Sequence, residues 1–209
     1  MSNTRNMSNE DAMAQQAAEQ FAQNMAKYPI EEQIAVGLVS KNILNGCSWE
    51  FVRNNQDVRR NEVAFKKSEH CNLIKNKTGY IVTIAFKRIL EILAKEGMGI
   101  FNKKDLEIAS KHREEAFIAL DKKMKKGYNG KIGIFCTNDS TSITINGTTY
   151  PAYAVTLQEM LSLCARNNYG CVMGGIRTAN EVAAKHDQVM QILDLAPSGN
   201  ALLIEIQKL

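Results

Sequence analysis

The chain has 209 residues, of which 44% are apolar and 23% charged, an ordinary globular composition that excludes disordered, fibrous and collagen-like chains. No apolar run approaches the roughly 20 residues needed to cross a bilayer, so no membrane insertion is expected. The net charge of +4 is unevenly spread: residues 1–50 carry 3 basic and 6 acidic groups, 51–131 carry 19 and 10, and 132–209 carry 4 and 6.

In chain order, Ser8 followed by Asp11 caps a helix running to about Lys27, with Met13, Ala17, Phe21 and Met25 four apart on a narrow apolar stripe. Pro29 ends that helix and opens a second, from Ile30 to about Leu44, with Glu31 and Glu32 at its amino-terminal dipole and Asn45-Gly46 as the stop. Trp49, Phe51 and Val52 form an apolar cluster that anchors a loop into the core or meets a partner. The polar, basic stretch 54–77 reads as an exposed helix near Gln56 to His70. Thr78 to Lys95 reads as a central helix, because Ile81, Ile84, Ala85, Arg88, Ile89, Ile92 and Leu93 follow three-and-four spacing.

Asn102 and Asp105 cap a helix from Lys103 to about Lys125 that buries Leu106, Ala109, Phe117, Leu120 and Met124. After Gly127 the pattern changes to strands. Lys131 to Cys136 is one, and Ser142 to Ile145 joins Thr148 to Tyr150 through Asn146-Gly147, a pair suited to the left-handed dihedrals of a type I′ turn. Two capping boxes, Thr156 with Glu159 and Thr178 with Glu181, open helices to about Asn167 and Leu195. Cys171 to Met173 is a short strand or a buried connection, and Ala201 to Ile206 is a final strand. The expected fold is α+β: a helical amino-terminal half packed against a small, mainly antiparallel sheet with helices in the carboxyl-terminal half. A single domain is expected over 1–209, with 8–126 and 127–209 as its candidate lobes.

Cysteines at 47, 71, 136, 164 and 171 are odd in number and lack a Cys-x-x-Cys pair, which argues against a disulfide framework or zinc knuckle and for reduced thiols. The first thirty residues lack the basic and apolar regions of a signal peptide, so a cytoplasmic location is expected. The phosphate-binding, dinucleotide-binding, zinc-protease and serine-elbow motifs are absent, and no cofactor or metal is expected.

Three sets of residues carry candidate chemistry. Gly174, Gly175, Arg177 and Thr178 stand at a helix start that is either a tight turn or an anion site. Cys136 and His186 are either core residues or a nucleophile and its base. His112 lies in the run Lys111-His112-Arg113-Glu114-Glu115, which reads as ordinary ion-pair patterning on a solvated helix face or as the setting of a functional histidine. The basic middle includes Arg59, Arg60, Lys66 and Lys67, which read as a solvated surface, serve an acidic protein or nucleic acid, or mate with the acidic flanks within the fold or in an oligomer.

These features favour a non-enzymatic interaction subunit, an adaptor or chaperone-like component of a larger complex. It would recognise one or more proteins, or a second copy of itself, through the helix bearing Met13 and Phe21, through the basic surface or through a sheet edge. The alternatives are a small cytosolic enzyme acting on an anionic substrate and a nonspecific nucleic-acid-binding protein.

Overall fold

The computed structural model describes residues 8–75, 78–97, 99–135, 142–171, 194–195 and 201–209. Helix α1 (Asn9–Met25) starts at a capping box: the Ser8 hydroxyl accepts from the Asp11 N–H at 3.1 Å, and the Asp11 carboxylate accepts in return from the Ser8 N–H. Its apolar stripe is graded along its length. Met25 is buried, Ala17 and Phe21 are half-buried, and Met13 is 71% exposed. Helix α2 (Ile30–Val39) follows Pro29 and tightens into a 3-10 turn over Ser40–Asn45, which Gly46 closes with φ at +77°.

The next segment departs from expectation. Trp49–Val52 is strand β1, two short helices follow as α3 (Gln56–Arg60) and α4 (Glu62–Lys67), and Cys71–Lys75 is strand β2. The segment expected as one central helix from Thr78 to Lys95 divides into strand β3 (Tyr80–Ile84) and helix α5 (Phe86–Glu96), with Ala85 extended at φ −55° and ψ 126° between them. β3 is the middle of a three-stranded antiparallel sheet, pairing Phe51 with Ile81 on one side and Ile74 with Ile81 on the other. A strand covered on both faces is apolar at nearly every position, and such a run matches helical spacing by coincidence.

The carboxyl-terminal half follows the expected order as far as β7, while Asp194–Leu195, expected as the end of a helix, is a strand. Helix α6 (Lys103–Lys125) is capped by Asn102, whose side-chain oxygen accepts from the Asp105 N–H at 2.8 Å. Strands β4 (Gly130–Phe135), β5 (Ser142–Ile145) and β6 (Thr148–Tyr153) precede helix α7 (Leu157–Asn167), and β7 (Tyr169–Cys171), β8 (Asp194–Leu195) and β9 (Ala201–Lys208) complete the sheet. Its order is β5-β6-β4-β9-β7, with β8 also on β9. β4 and β6 are parallel, and the other pairs are antiparallel. Asn146 and Gly147 both take positive φ, +50° and +77°, as the hairpin requires. The Thr156–Glu159 box closes at both ends, at 3.1 and 3.0 Å. The predicted box at Thr178 and Glu181 lies outside the described residues.

Two apolar clusters hold these elements. In one, Trp49, Ile74 and Ile81 from one face of the small sheet meet Leu120 and Met124 of α6, α7, and the inward residues Ile132, Ile134, Leu202, Ile204 and Ile206. In the other, Cys71, Val82 and Ile84 from the opposite face meet α2, α5, and Leu106 and Ala109 of α6. The small sheet is therefore buried on both sides, and α6 contributes to both clusters. The fold is α+β, with helices in both halves.

Candidate functional site

α3 and α4 meet end to end at Asn61, whose backbone N–H donates back to Asp57 and whose carbonyl accepts from Phe65, both at 3.2 Å. Asn55 starts the first helix, its side-chain oxygen accepting from the N–H groups of Asp57 and Val58. Val58 and Phe65, seven residues or two turns apart, are the buried anchors. The same interval separates Arg59 from Lys66 and Arg60 from Lys67, all four exposed. Val63, in the first turn of α4, is 64% exposed. The result is a short two-helix ridge, broken at Asn61 (φ −111°, ψ 16°), that exposes four cations and one apolar side chain.

Each cation pair occupies the last turn of its helix, where the dipole favours positive charge. That explains why local structure tolerates them. Among the described residues none of the four joins an ion pair: Arg60 donates to Gln56 Oε1 at 3.2 Å, and Arg59 donates to the Tyr80 hydroxyl. Beside the ridge the small sheet ends at Tyr80, opposite Val52 and Lys75. The Tyr80 hydroxyl donates to Glu62 Oε1 at 2.6 Å, and Arg59 donates to that hydroxyl's oxygen. The Glu62 hydrogen bond raises the Tyr80 phenol above its ordinary range, and burial adds to it. Gly79 is obligatory here, since a Cβ would sit 2.4 Å from the Val52 carbonyl oxygen and 2.9 Å from Arg53 Cα.

The ridge thus brings Arg59, Arg60, Lys66 and Lys67 together. Of the two α1 candidates, Met13 projects into solvent while Phe21 packs on the second cluster. Gly174, Gly175, Arg177, Thr178, Cys136 and His186 lie outside the described residues. Cys47, Cys71 and Cys164 are buried without disulfides, and burial pushes the Cys71 thiol up to about 12. Among the described residues no group of His, Cys, Asp and Glu is placed to hold a metal, and no helix is long and apolar enough to cross a membrane.

The expected ion-pair patterning on a solvated face holds at Lys111 and Glu115, which pair at 3.9 Å, but Arg113 departs from it. Its side chain is 16% exposed, pairs with Glu159 of α7 and lies over the Phe86 ring at 4.1 Å. Because α6 runs between two cores, the turn carrying Arg113 faces inward, and burial lowers its guanidinium pKa. Three other paired clusters escaped sequence reasoning: Arg88 with the buried Glu32, Lys27 and Tyr28 with Glu96, and Lys125 and Arg166 with Asp121. Comparison with protein-family models, curated proteins and solved structures finds no match to this chain.

Proposed function

We propose that this chain is a non-enzymatic interaction subunit, an adaptor or chaperone-like component of a larger complex, and that its α3–α4 ridge receives an acidic protein surface. The observation that carries the reading is the exposure of Arg59, Arg60, Lys66, Lys67 and Val63 on two consecutive short helices, with none of the four cations in an ion pair among the described residues. Two unit charges about 10 Å apart in water repel by roughly 0.4 kcal/mol before screening, so each cation raises the cost of its neighbours. A carboxylate-bearing partner relieves that repulsion, and an apolar side chain from it covers Val63.

The test is amine-directed crosslinking in a native extract, followed by quantitative binding of the captured protein to wild type and to Arg59→Glu/Arg60→Glu. Reversal of both charges should weaken binding roughly tenfold to a hundredfold, mostly through slower association. An unchanged affinity would refute the ridge. Capture of nucleic acid, with an affinity falling steeply with salt, would replace the protein partner by a polynucleotide.

A further inference from the structure

The same ridge has a complement elsewhere on this chain. Helix α1 contains Glu10, Asp11 and Glu19 and no lysine or arginine. Its amino-terminal half stands clear of the body: Glu10 is exposed, and Met13, one turn away on the adjoining face, is 71% exposed. Only the later part of the helix is anchored, through Phe21 and Met25 in the second cluster and through Ala17, which lies 3.6 Å from where a Gly99 Cβ would sit. One element thus offers net negative charge beside an exposed apolar side chain, and another offers net positive charge around one. Within the chain neither covers the other, since Glu10, Met13, Val63 and all four ridge cations are exposed.

We propose that the occupant of the ridge is the amino-terminal half of α1 from a second copy of this chain, with Glu10 among the cations and Met13 against Val63. This rests on the ridge being a receptor for acidic protein, the reading given above, and names one such surface. The contact joins two different patches, so it closes into a symmetric dimer if each copy gives its helix to the other and extends into a chain if not.

Self-association is measured by sedimentation velocity against protein and salt concentration, together with binding of polyglutamate to the same samples. Wild type should associate reversibly, and salt should weaken the association. Arg59→Glu/Arg60→Glu and, separately, Glu10→Lys/Met13→Lys should each reduce it at least about tenfold. All four positions are exposed, so the fold is retained, which circular dichroism verifies. An equimolar mixture of the two variants should associate again, because the native α1 of the ridge variant meets the native ridge of the α1 variant. The α1 variant should still bind polyglutamate as wild type does, and loss of polyglutamate binding by the ridge variant alone tests the ridge itself. A monomer at every concentration and salt, an α1 variant that associates like wild type, or a mixture that stays monomeric would each overturn the proposal. The first three of these measurements can fail while polyglutamate binding persists, which separates this inference from the functional reading.

Discussion

Replacing Arg88 with methionine tests how α2 is held on α5. The guanidinium grips Glu32 with Nε 3.2 Å from both carboxylate oxygens and one terminal nitrogen 2.9 Å from Oε2. Glu32 is 4% exposed and Arg88 27%. Removing one partner of a fully buried pair costs about 3–5 kcal/mol, and the partial exposure of Arg88 lets water reach the orphaned carboxylate, so about 2–4 kcal/mol is expected for Arg88→Met. Glu32→Leu leaves the more exposed guanidinium within 3.8 Å of Glu91, and its cost should be smaller, about 1–2 kcal/mol. The double variant Glu32→Leu/Arg88→Met removes both charges and should lie within about 1 kcal/mol of wild type. Urea unfolding followed by circular dichroism, with the slope held constant across variants, reads all four corners of this cycle. A cost below about 1 kcal/mol for Arg88→Met, or a double variant as unstable as the two singles added together, would refute the claim that an unpaired buried carboxylate sets the penalty.

Raising pH should destabilise the fold through Cys71: its folded thiol holds a proton up to about 12 while the unfolded chain releases it near 9. Stability therefore falls as pH rises through that window, and Cys71→Ala should flatten the slope by about one proton in urea titrations from pH 8 to 11. Tyr169→Phe deletes a fully buried hydrogen bond from the hydroxyl to the Met124 carbonyl at 2.8 Å and should cost about 1–2 kcal/mol in the same assay. Gly79→Ala forces a methyl group into the Val52 and Arg53 backbone, with an expected loss of about 2 kcal/mol in thermal or urea unfolding.

What could be read in advance was whatever a few neighbouring residues decide by themselves. The Asn146-Gly147 turn needs two positive φ angles at adjacent positions, and the boxes at Ser8 and Thr156 need a hydroxyl and a carboxylate three residues apart. The three-stranded sheet was not legible for the opposite reason. β1, β2 and β3 are four or five residues long, and although β2 and β3 pair locally, with Lys75 opposite Tyr80, β1 reaches β3 only across the whole stretch from Val52 to Tyr80. Ile81-Val82-Thr83-Ile84 did carry a signal in its β-branched run behind Gly79, but the apolar spacing continued into α5 and masked the break at Ala85. The ridge was half legible: its cations were visible, but their common outward face depended on Val58 and Phe65 turning inward. Glu32 and Arg88 are 56 residues apart, and only the folded chain brings them together.

The fold contains carboxylates enough to neutralise the ridge, yet among the described residues none of its four cations joins an ion pair. Glu32, Glu50, Glu96, Asp121 and Glu159 are all committed to cations from other elements. Of the acids on the ridge helices, Asp57 stands in the first turn of α3, where the dipole holds it, and Glu62 accepts from Tyr80 at 2.6 Å. Tyr80 thus keeps the nearest carboxylate turned to the sheet, although Arg59 lies against the same hydroxyl. Tyr80→Phe removes the competitor and frees Glu62 to pair with Arg59 while leaving every positive charge in place. An exposed ion pair is worth about 0.5–1 kcal/mol, so affinity for polyglutamate at low salt should fall about two- to fivefold. The loss should disappear in Tyr80→Phe/Glu62→Gln, where no carboxylate is released. Unchanged affinity in Tyr80→Phe, or a loss that persists in the double variant, would show that Tyr80 has no part in keeping the ridge charged.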